Sequence, residues 1–250
     1  MSKVALITGS GRKRVGYVIA KALGEAGYSL VLHYHSSSEE AEASVAEFAE
    51  QGIEAIALKA DVADEDDVEK MFDAAMERFG RLDVLVTTSS IWRTIPFEET
   101  TSEDLIKSYE VNTLGTFLPA RRAGLIMCDQ PEGGSIITVG DWSIDRPYVD
   151  HAAYFIAKGS IPTLTRMLAV EMSARNPKVR VNCIHPGPVM FPPDATEEEK
   201  QSRIDSTLVK DADCPETVAH AVKFFVENKF VTGTCLPVDG GRTVAGNKHE

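Results

Sequence analysis

The sequence predicts an α/β fold in which helices flank a doubly wound, mostly parallel, seven-stranded sheet. Two observations carry this prediction: short apolar runs rich in β-branched residues recur along the chain, and helical patterns lie between them. A third observation is a glycine-rich segment directly after the first run. Strands that alternate with helices are typical of a parallel sheet with right-handed crossovers.

Seven segments are predicted strands because most of them are continuously apolar, as in strands that are buried on both faces. They cover residues 3–8, 29–34, 54–60, 83–88, 134–139, 179–184 and 234–238.

Five helices are predicted between these strands. The first carries an apolar face that includes Val15 and Leu23, and Gly27 suits its C-terminal end. The next two stop in the same way at Gly52 and Gly80. The predicted helices cover residues 15–27, 38–52, 64–80, 102–129 and 153–175.

Residues 1–250 are predicted to form a single domain, since we find no repeat, low-complexity tract or linker. The composition changes only at residues 185–205, which are first proline-rich and then acidic. This segment predicts a loop followed by a short surface helix. A long insertion late in an α/β domain often covers the ligand, so we expect a lid around residues 187–210.

Charge and cysteine usage exclude several classes of function. The formal net charge is -12, which argues against binding to nucleic acid or to an anionic membrane. No apolar stretch approaches the roughly 18 residues of a membrane span, and the N-terminus lacks the apolar region of a signal peptide. The four cysteines are scattered without a CxxC pair. We therefore expect a cytoplasmic protein without a metal site or disulfide bonds, acting on a small molecule.

The segment TGSGRKRVG places glycines between the first strand and the first helix. Gly9, Gly11 and Gly16 allow a tight turn and a close approach of the backbone to a ligand. The N-terminus of the helix then offers free N–H groups to an anion, as in the pyrophosphate site of dinucleotide-binding proteins. An ordinary strand-to-helix turn is the alternative interpretation.

The charges around this segment favour NADP over NAD. The loop carries Arg12, Lys13 and Arg14, and the second strand ends without an acidic residue. An acid at that position would bind the ribose 2′-hydroxyl and repel a 2′-phosphate. The tip of the strand instead offers His35, Ser36, Ser37 and Ser38. A solvated basic loop without this role is the alternative.

Tyr154 and Lys158 are four residues apart, one helical turn, in a helix that follows the fifth strand. This is the end of a parallel sheet at which ligands bind. A tyrosine has a pKa near 10, and an ammonium group one turn away stabilises its phenolate. The pair can therefore transfer a proton near neutral pH.

These motifs resemble the short-chain dehydrogenase/reductase family over nearly the whole chain. The resemblance rests on TGSGRKRVG, ADV, VNTLGTF, YFIAK, NCIHPGPV and FVTGTCLPVDGG. It implies a Rossmann-like fold, a nicotinamide cofactor, Tyr154 as the general acid, Lys158 as the group that tunes it, and Asn112 holding a water of the proton relay. It also implies a homotetramer formed through the helices at 102–129 and 153–175.

The family pattern assigns adenine contacts to Asp61 and Val62, and it places Pro186 and Gly187 beside the nicotinamide. The expected cofactor-binding residues are Gly9, Gly11, Arg12, Arg14, Val15, Gly16, His35, Ser36, Ser37, Asp61, Val62, Ser89, Lys158, Pro186 and Gly187.

This chain departs from the family at the serine that lies thirteen residues before the tyrosine. That position is Asp141, and Ser143 is out of register by two. A carboxylate repels the oxyanion that a serine stabilises, but it can hold an N–H-rich group or protonate a nitrogen. Asp141 therefore points to a substrate with a C=N bond in a nitrogen heterocycle. The alternative is that Asp141 caps a turn while Ser143 is catalytic.

Within the family, the pteridine reductases and dihydromonapterin reductases look closest. They share an aspartate at this position, an arginine in the glycine loop and an HYH-like end of the second strand. Trp92 stands where pteridine reductases place an aromatic residue that stacks on the pterin, although it could simply pack at the rim. We therefore expect an NADPH-dependent reductase with Asp141, Tyr154, Lys158 and Asn112 as catalytic residues, and Trp92 among the substrate contacts.

Two other functions remain open. One is a carbonyl reductase of a 3-oxoacyl thioester, a sugar or a steroid. The other is a regulator that binds NADP without turnover. His33, His151 and His185 lack the sequence spacing of metal ligands and are expected to be polar core or loop residues.

Overall fold

A computed structural model describes residues 2–245. Its seven strands form one sheet in the order β3-β2-β1-β4-β5-β6-β7, and every neighbouring pair is parallel. This confirms the predicted fold class. The strands are β1 Lys3–Thr8, β2 Tyr28–Tyr34, β3 Ala55–Lys59, β4 Val84–Thr87, β5 Gly134–Val139, β6 Val179–Pro186 and β7 Cys235–Val238.

Helices cover both faces of the sheet, so each face has its own apolar core. Phe72 and Met127 lie in the core on one face of the sheet, whereas Leu23 and Phe225 lie in the core on the other face. Burial on both faces explains why the strands are almost continuously apolar. The α-helices of residues 2–245 are α1 Val15–Glu25, α2 Ser38–Glu50, α3 Glu65–Phe79, α4 Ser102–Tyr109, α5 Gly115–Cys128, α6 Ala152–Gly159, α7 Ile161–Ser173, α8 Glu197–Asp205 and α9 Glu216–Glu227.

The strand order positions the site. The chain runs from β1 outward to β3 and then returns to place β4 on the other side of β1. The connections therefore diverge at the C-terminal ends of β1 and β4, which opens a crevice there. The glycine-rich segment lies on one side of this crevice and α6 on the other.

The two long predicted helices are each divided. A π-helical turn, Glu110–Leu114, separates α4 from α5, and such turns are frequent at functional sites. The second helix is divided at Ser160, two residues before Pro162, whose ring is tolerated only in the first turn of a helix. Helix α9 was not predicted, and it packs against α1.

The predicted lid segment contains the expected short helix, α8. Thr196 and Glu199 form a capping box at its start, because each side chain accepts a hydrogen bond from the backbone N–H of the other residue. No helix within residues 2–245 is both long enough and apolar enough to cross a membrane.

Candidate active site

A cavity of about 550 Å³ opens at the C-terminal ends of β1, β2 and β4. It collects residues from five separate segments of the chain. Most of the expected cofactor-binding residues line it, namely Gly9, Gly11, Arg12, Arg14, Val15, Gly16, His35, Ser36, Ser37, Asp61, Val62 and Ser89. Three others, Lys158, Pro186 and Gly187, lie outside its wall.

Glycine is needed at these positions because a side chain there would come too close to neighbouring residues. Gly9 has a φ of 66°, and a Cβ there would lie 3.0 Å from the backbone of Ser89. A Cβ on Gly16 would lie 2.6 Å from Oγ1 of Thr88. The backbone is therefore open to a ligand at the start of α1, where free N–H groups favour a phosphate. The residues present fit a nicotinamide dinucleotide.

His33 supports the glycine-rich loop through a hydrogen bond to its backbone. Its Nδ1 accepts a hydrogen bond from the Gly9 N–H at 2.9 Å, so the proton lies on Nε2, 3.1 Å from the carbonyl oxygen of Ala60. Burial lowers the pKa of His33 from 6.5 to about 4. His33 is thus a neutral polar core residue, as expected from the sequence.

The three cations of the loop differ in their partners. Lys13 pairs with Glu47 at 2.6 Å and does not line the cavity. Of the three cations, it is therefore the one that is not placed to meet a 2′-phosphate there. Arg12 pairs loosely with Glu40 at 3.4 Å. The guanidinium of Arg14 makes no ion pair with any residue between 2 and 245, and Arg14 lines both this cavity and the next one. No acidic side chain stands at the end of β2 in the wall.

Asp141 and Tyr154 are in direct contact. The Tyr154 hydroxyl donates a hydrogen bond to Oδ2 of Asp141 at 2.5 Å. Oδ1 of Asp141 accepts from the N–H of Ser143 at 2.9 Å and from its hydroxyl at 2.6 Å. Asp141 therefore both caps a short 3₁₀ turn and faces the tyrosine. Ser143 is fully buried, and its hydroxyl is engaged in the hydrogen bond to Asp141.

The pKa of Tyr154 is raised in this structure, opposite to the direction that the Tyr–Lys pair predicts. Burial is the main cause, followed by the charge of Asp141 and its hydrogen bond. Lys158 is buried in turn; its Nζ donates to the carbonyl oxygen of Val139 at 2.9 Å, and burial lowers its pKa. The phenol is therefore protonated in this structure and holds its proton more tightly than a free tyrosine does.

Asn112 lies in the π-helical turn and is fully buried. Its Oδ1 accepts from the Ser90 hydroxyl at 2.7 Å and from the Ile91 N–H at 3.0 Å, and its Nδ2 donates to the Ile91 carbonyl. Ser90 also interacts with Tyr154 and opposes the rise in its pKa. Asn112 thus anchors the loop after β4, and Ser90 links it to the tyrosine. Ser90 was not singled out from the sequence.

A second cavity, of about 750 Å³, adjoins the first and contains both Asp141 and Tyr154. Gly187 lies in its wall, as the family pattern implies for a residue near the nicotinamide. Pro186 ends β6 beside Val238, one residue before this wall. Pro192 and α8, which belong to the segment predicted to be a lid, line this cavity.

Aromatic rings form one side of the second cavity. Trp92 is 53% exposed; its ring stacks on His151 at 4.7 Å, and its Nε1 donates to the Tyr148 hydroxyl at 3.1 Å. Trp142 stacks near Tyr148. Trp92 therefore both lines the cavity, as expected, and packs at its rim. Trp142 and Tyr148 were missed, although Trp142 directly follows Asp141.

Two arginines of this cavity were also missed. Arg242 lies over the Trp142 ring, with its guanidinium carbon 4.0 Å from the ring centre. Burial lowers the pKa of Arg242, and the charge of Arg203 lowers it further. Arg203 comes from α8 and Arg242 follows β7, so no short sequence motif joins them.

Known proteins resemble the chain over its full length. A family profile described as enoyl-(acyl carrier protein) reductase matches residues 11–243. A short chain dehydrogenase/reductase of Aspergillus novofumigatus is 33% identical, covering 96% of this chain and 95% of that protein. Glucose 1-dehydrogenase 2 of Bacillus subtilis is 32% identical, covering 97% and 95%. The crystal structure of acetoin dehydrogenase from Enterobacter cloacae has a TM-score of 0.89 at 27% identity, covering 100% of this chain and 99% of that one.

Proposed function

The chain belongs to the short-chain dehydrogenase/reductase family, and within that family of oxidoreductases we propose that it is an NADPH-dependent reductase of a planar C=N heterocycle of the pterin type. The observation that carries this proposal is the contact between Asp141 and Tyr154. An acceptor oxygen stands where the family serine donates a hydrogen bond. It suits the N–H edge of a heterocycle and opposes a developing oxyanion.

The roles follow from the geometry. NADPH, when bound, supplies the hydride to the electron-poor carbon of the C=N bond. Tyr154, which is protonated in this structure, gives the proton to the nitrogen. Asp141 orients the N–H groups of the substrate. The rings of Trp92 and Trp142 offer stacking surfaces that match a flat heterocycle.

The preference for NADP rests on Arg14 and on the absence of an acid from the described cavity wall at the end of β2. We expect NADPH to bind more tightly than NADH, because the 2′-phosphate meets the guanidinium of Arg14. Arg14→Gln should reduce this ratio by about tenfold, the equivalent of one charge-assisted contact of about 1.4 kcal/mol. Lys13→Gln is the matched control, since Lys13 pairs with Glu47 outside the cavity. Equal affinities for NADPH and NADH in the wild type would contradict the preference.

The test of the substrate class is NADPH oxidation with dihydrobiopterin, dihydromonapterin, dihydrofolate, an acetoacetyl thioester and a simple ketone. We expect turnover of the pterins and its loss in Asp141→Ser. Asp145→Ser is the matched control, because it removes the same charge from an exposed position in the same loop. Turnover of ketones alone, kept or increased in Asp141→Ser, would overturn the proposal.

Carbonyl reduction is the second candidate. The names of two relatives, a glucose 1-dehydrogenase and an acetoin dehydrogenase, favour it. In this case Asp141 would serve mainly as the cap of the turn at Ser143. The ketone and thioester arms of the same panel measure this activity directly.

We also propose a homotetramer formed through the outer faces of α4 with α5 and of α6 with α7. Apolar side chains are exposed on these helices although the core is well filled. They are Ile106, Tyr109, Ile156, Met167 and Val170. Analytical ultracentrifugation should give four chains per particle, and Val170→Asp together with Ile156→Asp should give a smaller one.

A further inference from the structure

Two cysteines that are far apart in the sequence lie side by side at the edge of the sheet. Cys183 on β6 and Cys235 on β7 are directly opposite each other in the parallel register. His185 follows Cys183 by two residues, so its side chain projects from the same face of β6. One ligand atom from each of the three residues lies within 4.8 Å of the other two. We call these three residues the thiol–imidazole cluster.

The imidazole of this cluster interacts with Cys235, but its Nε2 has no hydrogen-bond partner among the described residues. His185 is 5% exposed, and its Nε2 is buried without a hydrogen bond to any residue between 2 and 245. A buried polar atom without a partner costs free energy, so such atoms are rare in folded proteins. A Cβ on Gly140 would lie 2.8 Å from this nitrogen, so the ring fills space that only a glycine leaves open.

We propose that Cys183, His185 and Cys235 bind a soft divalent cation such as Zn²⁺. Zinc prefers thiolate and imidazole ligands at about 2.1 to 2.3 Å in a tetrahedral arrangement, which sets the ligand atoms roughly 3.5 to 4 Å apart. The cluster lies within reach of this geometry. Three protein ligands leave the fourth position open to water or to a small anion.

The surroundings are compatible with a bound cation. The charge of Lys158 acts on Cys183, and the charge of Arg166 acts on Cys235. Both would repel a bare cation, but two thiolates balance the charge of Zn²⁺ and leave the site neutral. Cys183 is fully buried, whereas Cys235 is only partly buried and provides the path of entry.

The cluster lies behind the active site and is distinct from it. Neither cavity described above contains any of its three residues. The His185 ring packs against Gly140, the residue directly before Asp141, so a ligand here would be a close neighbour of the catalytic residues. The sequence predicts no metal site because the register of two parallel strands cannot be read from the spacing of their cysteines.

The test is a titration of the reduced, metal-free full chain with Cd²⁺ and Co²⁺, followed by competition with Zn²⁺. Thiolate ligands give charge-transfer absorption with both probe metals. We expect this band to saturate at one metal per chain and to disappear when Zn²⁺ displaces the probe. In Cys235→Ser and in His185→Gln the affinity for the probe metal should fall by at least about tenfold. The loss of a residue that only hydrogen-bonds a metal ligand already lowers metal affinity by about this factor.

Cys214→Ser is the matched control, because Cys214 is also partly buried but lies outside the cluster. It should leave the affinity unchanged. Circular dichroism and NADPH binding establish that each variant is folded. The absence of a thiolate-to-metal band in the folded wild type, or an equal band in Cys235→Ser, would overturn the proposal.

Discussion

The two adjoining cavities are built in different ways. The first, at the ends of β1, β2 and β4, is shaped mainly by backbone, with Gly9 and Gly16 giving access to N–H groups. The second is shaped by side chains from distant segments, such as Trp92, Arg203 and Arg242. A backbone site selects a ligand shared by a whole family, whereas a side-chain site can change its ligand without changing the fold. The cofactor site is therefore the general half of this protein, and the substrate site is the specific half.

The largest expected effect tests whether the two halves work as one enzyme. Tyr154→Phe removes the proton donor and should lower kcat by about 100- to 10,000-fold, while the affinity for NADPH stays within about twofold of the wild type. Stopped-flow turnover and fluorescence titration of NADPH measure the two quantities. Tyr28→Phe, which removes a hydroxyl at the start of β2, at the opposite end of the strands from both cavities, is the control. If the protein only senses NADPH, the wild type itself will show no turnover, and Tyr154→Phe will not differ from it.

The second prediction concerns the support of the cofactor half. His33 is neutral in the folded chain because burial lowers its pKa to about 4. Between pH 6.5 and 4 the unfolded chain binds a proton that the folded chain does not bind, so stability falls as the pH falls through this window. The loss should reach up to about 3 kcal/mol at the lower end.

Urea unfolding of the wild type and of His33→Asn across this pH range measures the contribution. The variant cannot titrate, and its side-chain oxygen can still accept from the Gly9 N–H, so its stability should depend less on pH. His220→Asn, at an exposed position on α9, should behave like the wild type. Equal slopes in the wild type and in His33→Asn would show that His33 titrates normally.

Most residues that line the first cavity could be named from the sequence, because the signals there are local. A glycine pattern after a strand and the residues at two strand ends are contiguous stretches. The substrate half escapes such reasoning. Trp142 and Arg242 meet only through the packing of β5 against β6 and β7, and α8 brings in Arg203. The π-helical turn at Asn112 could not be predicted either, since one extra residue in a helical turn hardly changes the spacing of the apolar residues.

The third prediction separates backbone strain from loss of the cavity. Gly9 and Gly52 both have a positive φ, so alanine at either position should cost about 1 to 2 kcal/mol of stability. Only at Gly9 does a new Cβ meet the cavity wall, 3.0 Å from Ser89, whereas the space around Gly52 is open. NADPH affinity should therefore fall by about tenfold in Gly9→Ala, equivalent to about 1.4 kcal/mol, and stay unchanged in Gly52→Ala. Calorimetric titration measures the NADPH affinity of both variants. If Gly9→Ala and Gly52→Ala lost the same NADPH affinity, the effect would come from lower stability and not from the cavity wall.

The last prediction expects an effect as small as the one at Gly9, and it is the most informative about the substrate half. Trp142→Ala removes one aromatic wall and the ring beneath Arg242, so KM for the heterocycle should rise by about tenfold, which matches a stacking contribution of about 1.4 kcal/mol. Trp142→Phe keeps a ring and should restore most of this loss. NADPH affinity should not change in either variant, because Trp142 does not line the cofactor cavity. If the alanine variant also lost NADPH affinity, the two cavities would have to be treated as one cooperative site, since the ring would then be stabilising the shared wall at Arg14 rather than the substrate.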